Sequence, residues 1–131
     1  MLDEPDASAA LAAAIDFLRL RVVPLLPARE AFETRIVASL LELVAREVTI
    51  GIDGERDEAG RLRRLLGLDG DLAVLNDELC RRIAAGTLDT SDEAVVGHLW
   101  ATTIEKLAVD QPRYAAYQRV LGARAAPPTK E

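Results

Sequence analysis

The sequence predicts an all-α protein, a compact bundle of five or six helices joined by short connections. Two observations carry that prediction. Apolar residues recur at spacings of three and four, and no segment alternates apolar and polar over the four to eight residues of a half-buried strand. A third concerns size: 131 residues, 14.2 kDa, are one domain's worth of chain and enough to bury a core without disulfides. The expected organisation is one helical domain over residues 1–122 and a disordered tail over 123–131.

The first helix is expected over about 8–23. Asp6 or Ser8 can cap it, and Leu11, Ile15, Leu18, Val22 and Leu25 form its stripe. Pro24 and Pro27 end it, because the residue before a proline disfavours helix. The second covers about 29–50, with Phe32, Ile36, Leu40, Leu43 and Val44 on one face and Gly51 as a left-handed cap. Residues 53–60 are charged and carry glycine, so they read as a loop or a frayed helix start. A short helix follows at 58–66 and stops at Gly67. The fourth spans 71–85, with Leu72, Leu75, Leu79 and Ile83 as its stripe and Gly86 as its stop. Thr90 and Glu93 have capping-box spacing, with Ser91 an alternative cap, ahead of a fifth helix over 91–109. Pro112 sits where a last helix could open, running to about 121 before Gly122. The tail holds Pro127-Pro128 and no periodic apolar positions.

The fifth helix has the widest apolar arc: Val96, Leu99, Trp100, Thr103, Ile104, Leu107 and Ala108. That breadth marks it as the most enclosed helix, near the centre. Leu75, Leu79, Ile83, Trp100, Ile104 and Leu107 should therefore be among the most buried residues. A narrow polar strip remains on it, made of His98, Thr102, Glu105 and Lys106.

Other polar residues break the pattern. A wheel at 100° per residue places Glu47 between Ile36 and Leu40, inside an apolar arc. A carboxylate there must find a donor or take up a proton. Asn76 falls beside the leucine stripe of the fourth helix. His98 is the sole histidine and the one side chain whose ordinary pKa lies near neutrality. Each has a structural reading as well: a helix-end ion pair for Glu47, a bridge between backbone groups for Asn76, and an ordinary surface position for His98. Cys80 reads as a small apolar group, with Arg81 and Arg82 beside it. The clusters Arg61-Arg63-Arg64 and Arg81-Arg82 could hold phosphate or form a salt-bridged, solvated face.

Composition narrows the function classes. Acids outnumber bases 22 to 16, a net charge of −6, which argues against a nucleic-acid or anionic-membrane binder. One cysteine allows no intrachain disulfide and fits a reducing cytosol. The acidic start and the lack of an apolar run of about 18 residues give no signal peptide and no membrane span, so a cytoplasmic location is expected. One His and one Cys rule out a zinc site of clustered Cys and His from one chain. No phosphate loop, dinucleotide fingerprint or nucleophile elbow is present. No metal and no cofactor is expected. Fourteen arginines against two lysines and a single asparagine suggest a GC-rich bacterial genome.

Four blocks carry a resemblance: Leu11 to Leu18 (LAAAIDFL), Ala45-Arg46-Glu47, Gly70 to Asp89 (GDLAVLNDELCRRIAAGTLD) and His98 to Tyr114 (HLWATTIEKLAVDQPRY). They resemble a family of small bacterial proteins of unknown function, encoded beside aminoglycoside-phosphotransferase-like kinases and acyl-CoA dehydrogenases. The resemblance covers most of residues 5–114, and the last block is its most distinctive part. It departs at Ser39, where Asn is expected, and at Val48, where Leu is expected. It carries over no catalytic residue. It implies an accessory role in fatty-acyl or related small-molecule metabolism.

Glu47, Asn76, His98, Asp110, Arg113 and Tyr114 lie in these blocks and form the candidate polar cluster. It could be a network that fixes helix order or the lining of a small pocket. A buried Glu47–Arg113 pair is its expected centre, because a guanidinium meets both carboxylate oxygens at once. Two functions follow. One is a non-catalytic accessory protein bound to a phosphotransferase-like kinase or an acyl-CoA dehydrogenase, through exposed apolar residues such as Phe17 and Leu20. The other is a small-ligand-binding or enzymatic domain using Glu47, His98 and Arg113. The sequence leaves a homo-oligomer open.

Overall fold

The computed structural model describes residues 6–125, and all regular structure among them is helical. The chain divides into two compact units, Met1–Ile52 and Asp53–Glu131.

The first unit is a helical hairpin. Asp6 caps α1 (Ala7–Asp16) by accepting the Ala9 N–H at 2.7 Å. A π-helical stretch, Phe17–Val22, and a 3₁₀ turn, Val23–Leu25, follow before Pro27. The chain then returns as α2 (Ala28–Arg46), which runs on into a second π-helical stretch, Glu47–Gly51. Gly51 is helical and has no positive φ, so it is not the expected left-handed cap. The Thr49 hydroxyl donates to the Ala45 carbonyl at 2.8 Å one turn back, within this widened stretch.

α1 packs on α2 through a narrow set of small and β-branched residues. Ile15, Val23, Ala31 and Ala38 are buried, and Thr34 and Leu41 are half-buried. The first stripe faces inward as expected, except Leu25, which the tight turn leaves exposed. α2 is rotated from the expected face. Phe32, Ile36, Leu40 and Val44 are exposed, and of that face only Leu43 is half-buried. Alanines let the two backbones approach closely. Arg19 reaches across to Glu42 at 3.0 Å and to the Ser39 hydroxyl at 3.4 Å, which fixes the rotation.

In the second unit, α3 (Ile52–Leu66) runs straight through the expected loop at 53–60. Acidic Asp53 and Glu55 suit its first turn. Glu58, Ala59, Leu62 and Leu66 are buried along one side, and that packing outweighs the cost of Gly54 and Gly60. Gly67 ends it with φ +67°, and Gly86 turns with φ +70° past α4 (Leu72–Ala84). Asp71 caps α4 through the Val74 N–H at 2.9 Å.

α5 spans Glu93–Asp110. Its cap is Asp92, which accepts the Ala94 N–H at 2.8 Å, and neither the Thr90–Glu93 box nor a Ser91 cap forms. Asp89 instead takes the Ser91 N–H and hydroxyl, both at 2.8 Å, in the turn before. These bonds hold the Asp89 carboxyl below its ordinary pKa. α6 is Ala115–Ala125. It begins after a turn that contains Pro112, so that proline is not its first residue, and it passes through Gly122. Residues 123–125 of the expected tail are thus helical, and the rest lies outside the described residues.

The core of this unit is Ala59, Leu62, Leu66, Leu75 and Leu79, with Leu72, Ile83 and Leu88 packed around it. Leu75 and Leu79 meet expectation, and Ile83 is half-buried. α5 does not. Trp100 is 51% exposed, Val96 and Leu99 are also exposed, and Ile104 and Leu107 are half-buried. Its buried residues are Val95, His98 and Val109, so the polar strip turns inward at His98, with Thr102 and Glu105 half-buried and Lys106 exposed. No described helix is long and apolar enough to cross a membrane.

A buried polar cluster around His98

α3 supplies Glu58 and Arg61, one turn apart on the same helix face. Glu58 is 4% exposed. A buried carboxylate requires a donor, and Asn76 of α4 provides one: its Nδ2 donates to Glu58 Oε1 at 3.1 Å. The same amide donates to the Leu72 carbonyl at 3.2 Å, which fixes the side chain against its own helix.

Arg61 reaches α5. Its guanidinium grips Glu105 in a fork, Nη1 to Oε1 at 2.8 Å and Nη2 to Oε2 at 2.6 Å. Nη2 also donates to the Thr102 hydroxyl at 3.2 Å. Both partners of the ion pair are largely shielded, and two-point geometry makes this the strong form of the interaction. The bond from Glu105 raises the Arg61 pKa above its ordinary value.

His98 lies one turn before Thr102 on α5 and is 4% exposed. Burial pushes its pKa below the ordinary imidazole value, and the nearby Arg61 cation pushes the same way. Glu58 and Glu105 pull in the opposite direction without reversing the shift. The ring is therefore neutral at pH 7, with one nitrogen a donor and the other an acceptor. Its Nδ1 and the Arg61 Nε are buried and make no hydrogen bond among the described residues.

An open cavity of about 350 Å³ adjoins this cluster, lined by Arg61, Arg64, Leu65, Ala94, Gly97 and His98. Gly97 has open space where a side chain would stand. The lining offers cationic, imidazole and apolar groups. It contains no serine, threonine or cysteine to act as a nucleophile. Among the described residues no group of three or more His, Cys, Asp or Glu side chains gathers as a metal-ion site.

Of the six residues singled out in sequence, Asn76 and His98 belong to this cluster, joined through Glu58. Asp110, Arg113 and Tyr114 are exposed, at the end of α5 and in the turn beyond it. Glu47 is exposed in the first unit, with its carboxyl folded toward Gly51, where an added Cβ would stand 2.9 Å from Cδ. The burial expected of Glu47 and Arg113 is not found, since both side chains are exposed. The wheel sets Glu47 on the face of Ile36 and Leu40, but that face is exposed and not buried. Glu58 falls where the expected loop and the expected short helix overlap, so the sequence assigns it no buried face. Arg61 was noticed only as part of a basic cluster. The other arginines of those clusters are largely ion-paired: Arg63 with Asp69, and Arg81 and Arg82 with Glu78.

A family described as a domain of unknown function (DUF6285) matches residues 24–114, more than two thirds of the chain. The chain belongs to this family. The DUF6285 match takes in α2 to α5 and with them the whole His98 cluster. The Leu11–Leu18 block and α6 lie outside it. No curated protein and no solved structure matches the chain.

Proposed function

We propose that this DUF6285 protein is a non-catalytic accessory protein that works by binding another protein, a phosphotransferase-like kinase or an acyl-CoA dehydrogenase. The observation that carries this reading is Phe17 and Leu20. They stand three residues apart in the first π-helical stretch, and both are exposed, Leu20 by 70%. Large apolar side chains grouped on a surface mark sites of protein contact. The choice of partner rests on the resemblance of the sequence blocks. An affinity pull-down from the native bacterium tests it. The wild-type protein should retain a kinase or dehydrogenase of those classes, and Phe17→Asp, with an unaltered helical circular dichroism spectrum, should lose it. Equal capture by both proteins would sink the proposal.

A second reading has its own support. The neutral His98 and the two arginines facing the cavity suit a small ligand that carries both a hydrogen-bonding group and negative charge. Of the three residues expected for a ligand site, His98 alone lines the cavity. Titration with small carboxylates or inorganic phosphate, followed by the NMR signals of the single histidine ring, tests that reading. His98 signals that stay fixed across the titration would rule out ligands of those classes.

A further inference from the structure

α2 carries a large apolar face that nothing in its own hairpin covers. Phe32 is 61% exposed, and Ile36, Val37, Leu40, Val44 and Val48 are exposed with it. Phe32 to Val44 spans about 18 Å of helix. Apolar residues recur at matched distances about Ala38, with two mismatches, Glu33 opposite Leu43 and Val37 opposite Ser39. Ile36 and Leu40 lie two residues either side of it, and Phe32 and Val44 lie six either side. Nine residues either side stand Arg29 and Glu47, at opposite ends of the same face and of opposite charge. Both are exposed.

From this arrangement we infer that α2 pairs antiparallel with α2 of a second copy of the chain, about a two-fold axis at the level of Ala38. A two-fold interface requires a surface that is complementary to itself, so that each contact occurs twice. The α2 face has that property in three pairs of positions, and Glu33, beside Arg29, is the charged exception within it. Phe32 of one copy meets Val44 of the other, Ile36 meets Leu40, and Arg29 meets Glu47. The last pair gives the out-of-place acid on the apolar arc a cation at each end of the interface. The contact of Arg29 with Glu33 in its own chain, at 3.2 Å between two exposed groups, is weak enough to be exchanged. A parallel arrangement would set Arg29 against Arg29 and Glu47 against Glu47, and like charges disfavour it. This pairing goes beyond the accessory reading and uses a different face from Phe17 and Leu20.

Sedimentation equilibrium on the full chain, under reducing conditions, tests the pairing. The wild type should dimerise with a Kd on the order of micromolar, as fits a small interface. Ile36→Asp should weaken the dimer about tenfold or more while the helical spectrum persists. Arg29→Glu and Glu47→Arg should each weaken it, and the two changes together should restore it. Phe17→Asp should leave it unchanged, which separates this proposal from loss of the accessory partner. A monomer at every concentration would overturn the inference and leave the face to a protein of another kind. A dimer indifferent to Ile36→Asp would overturn it too. Failure of the double charge swap to restore association would overturn the antiparallel register.

Discussion

α4 and α5 lie in the same unit and resolve the same problem in opposite ways. α4 has a narrow stripe, Leu72, Leu75, Leu79 and Ile83, and that stripe is buried or half-buried. α5 has a wide apolar arc and a narrow polar strip, and His98 of the strip is buried while Val96, Leu99 and Trp100 of the arc are exposed. A narrow stripe leaves one way to bury apolar surface. A wide arc leaves several, and the choice falls to the polar groups of the neighbouring helix. Turning α5 around would leave Arg61 without Glu105 and Thr102. An arginine that is mostly shielded and unpaired is a heavy cost.

The largest effects should separate the two helices by size. Leu75 is fully buried, so Leu75→Ala should cost about 2–5 kcal/mol in urea unfolding. Trp100→Ala should cost less than about 1.5 kcal/mol despite the larger side chain, because half of it already meets solvent. Equal losses would mean that α5 faces the other way.

A smaller effect should come from the pair that sets the orientation of α5. Arg61→Met should cost about 1–2 kcal/mol, allowing for partial solvent screening. Adding Glu105→Met should cost less than the two single changes summed, as a double-mutant cycle reads. Strict additivity would show that Arg61 does not orient α5.

The smallest concerns acidity. The folded-state pKa of His98 is depressed below its ordinary 6.5, so the unfolded chain takes up a proton first as pH falls. Stability from this residue is complete above about pH 6.5 and is lost progressively below it, down to the folded pKa. His98→Gln should therefore show a shallower fall in urea midpoint than wild type between pH 7 and 5.5. Identical slopes would show that His98 is not shielded.

The helices themselves were legible in the sequence, because spacing of three and four, Asp6 as a cap and the glycines at 67 and 86 are local signals. The helical course of residues 53–60 was not, since the packing of Glu58, Ala59 and Leu62 overrides two glycines and a run of charge. Half of the polar cluster was visible as a strip holding His98, Thr102 and Glu105. The other half is Glu58, where the expected loop and short helix overlap, and Arg61, which lies on that expected helix within a run of arginines. Glu47 shows the limit of the wheel. It ranks residues around one axis and does not say which side of that axis is covered.

The π-helical stretches bear on how the gene can change length. In each, the backbone bonds span one residue more than in an α-helix, as where the Val23 N–H reaches back to Leu18. Removing one codon from the Phe17–Val22 window would let the ladder close at the ordinary spacing and keep its bonds. The same deletion inside α4, already at that spacing, would swing every later side chain of its stripe by about 100° and off the leucine core. Single-residue deletions should therefore be tolerated unevenly along this chain, and the widened turns are where its reading frame of core positions has slack.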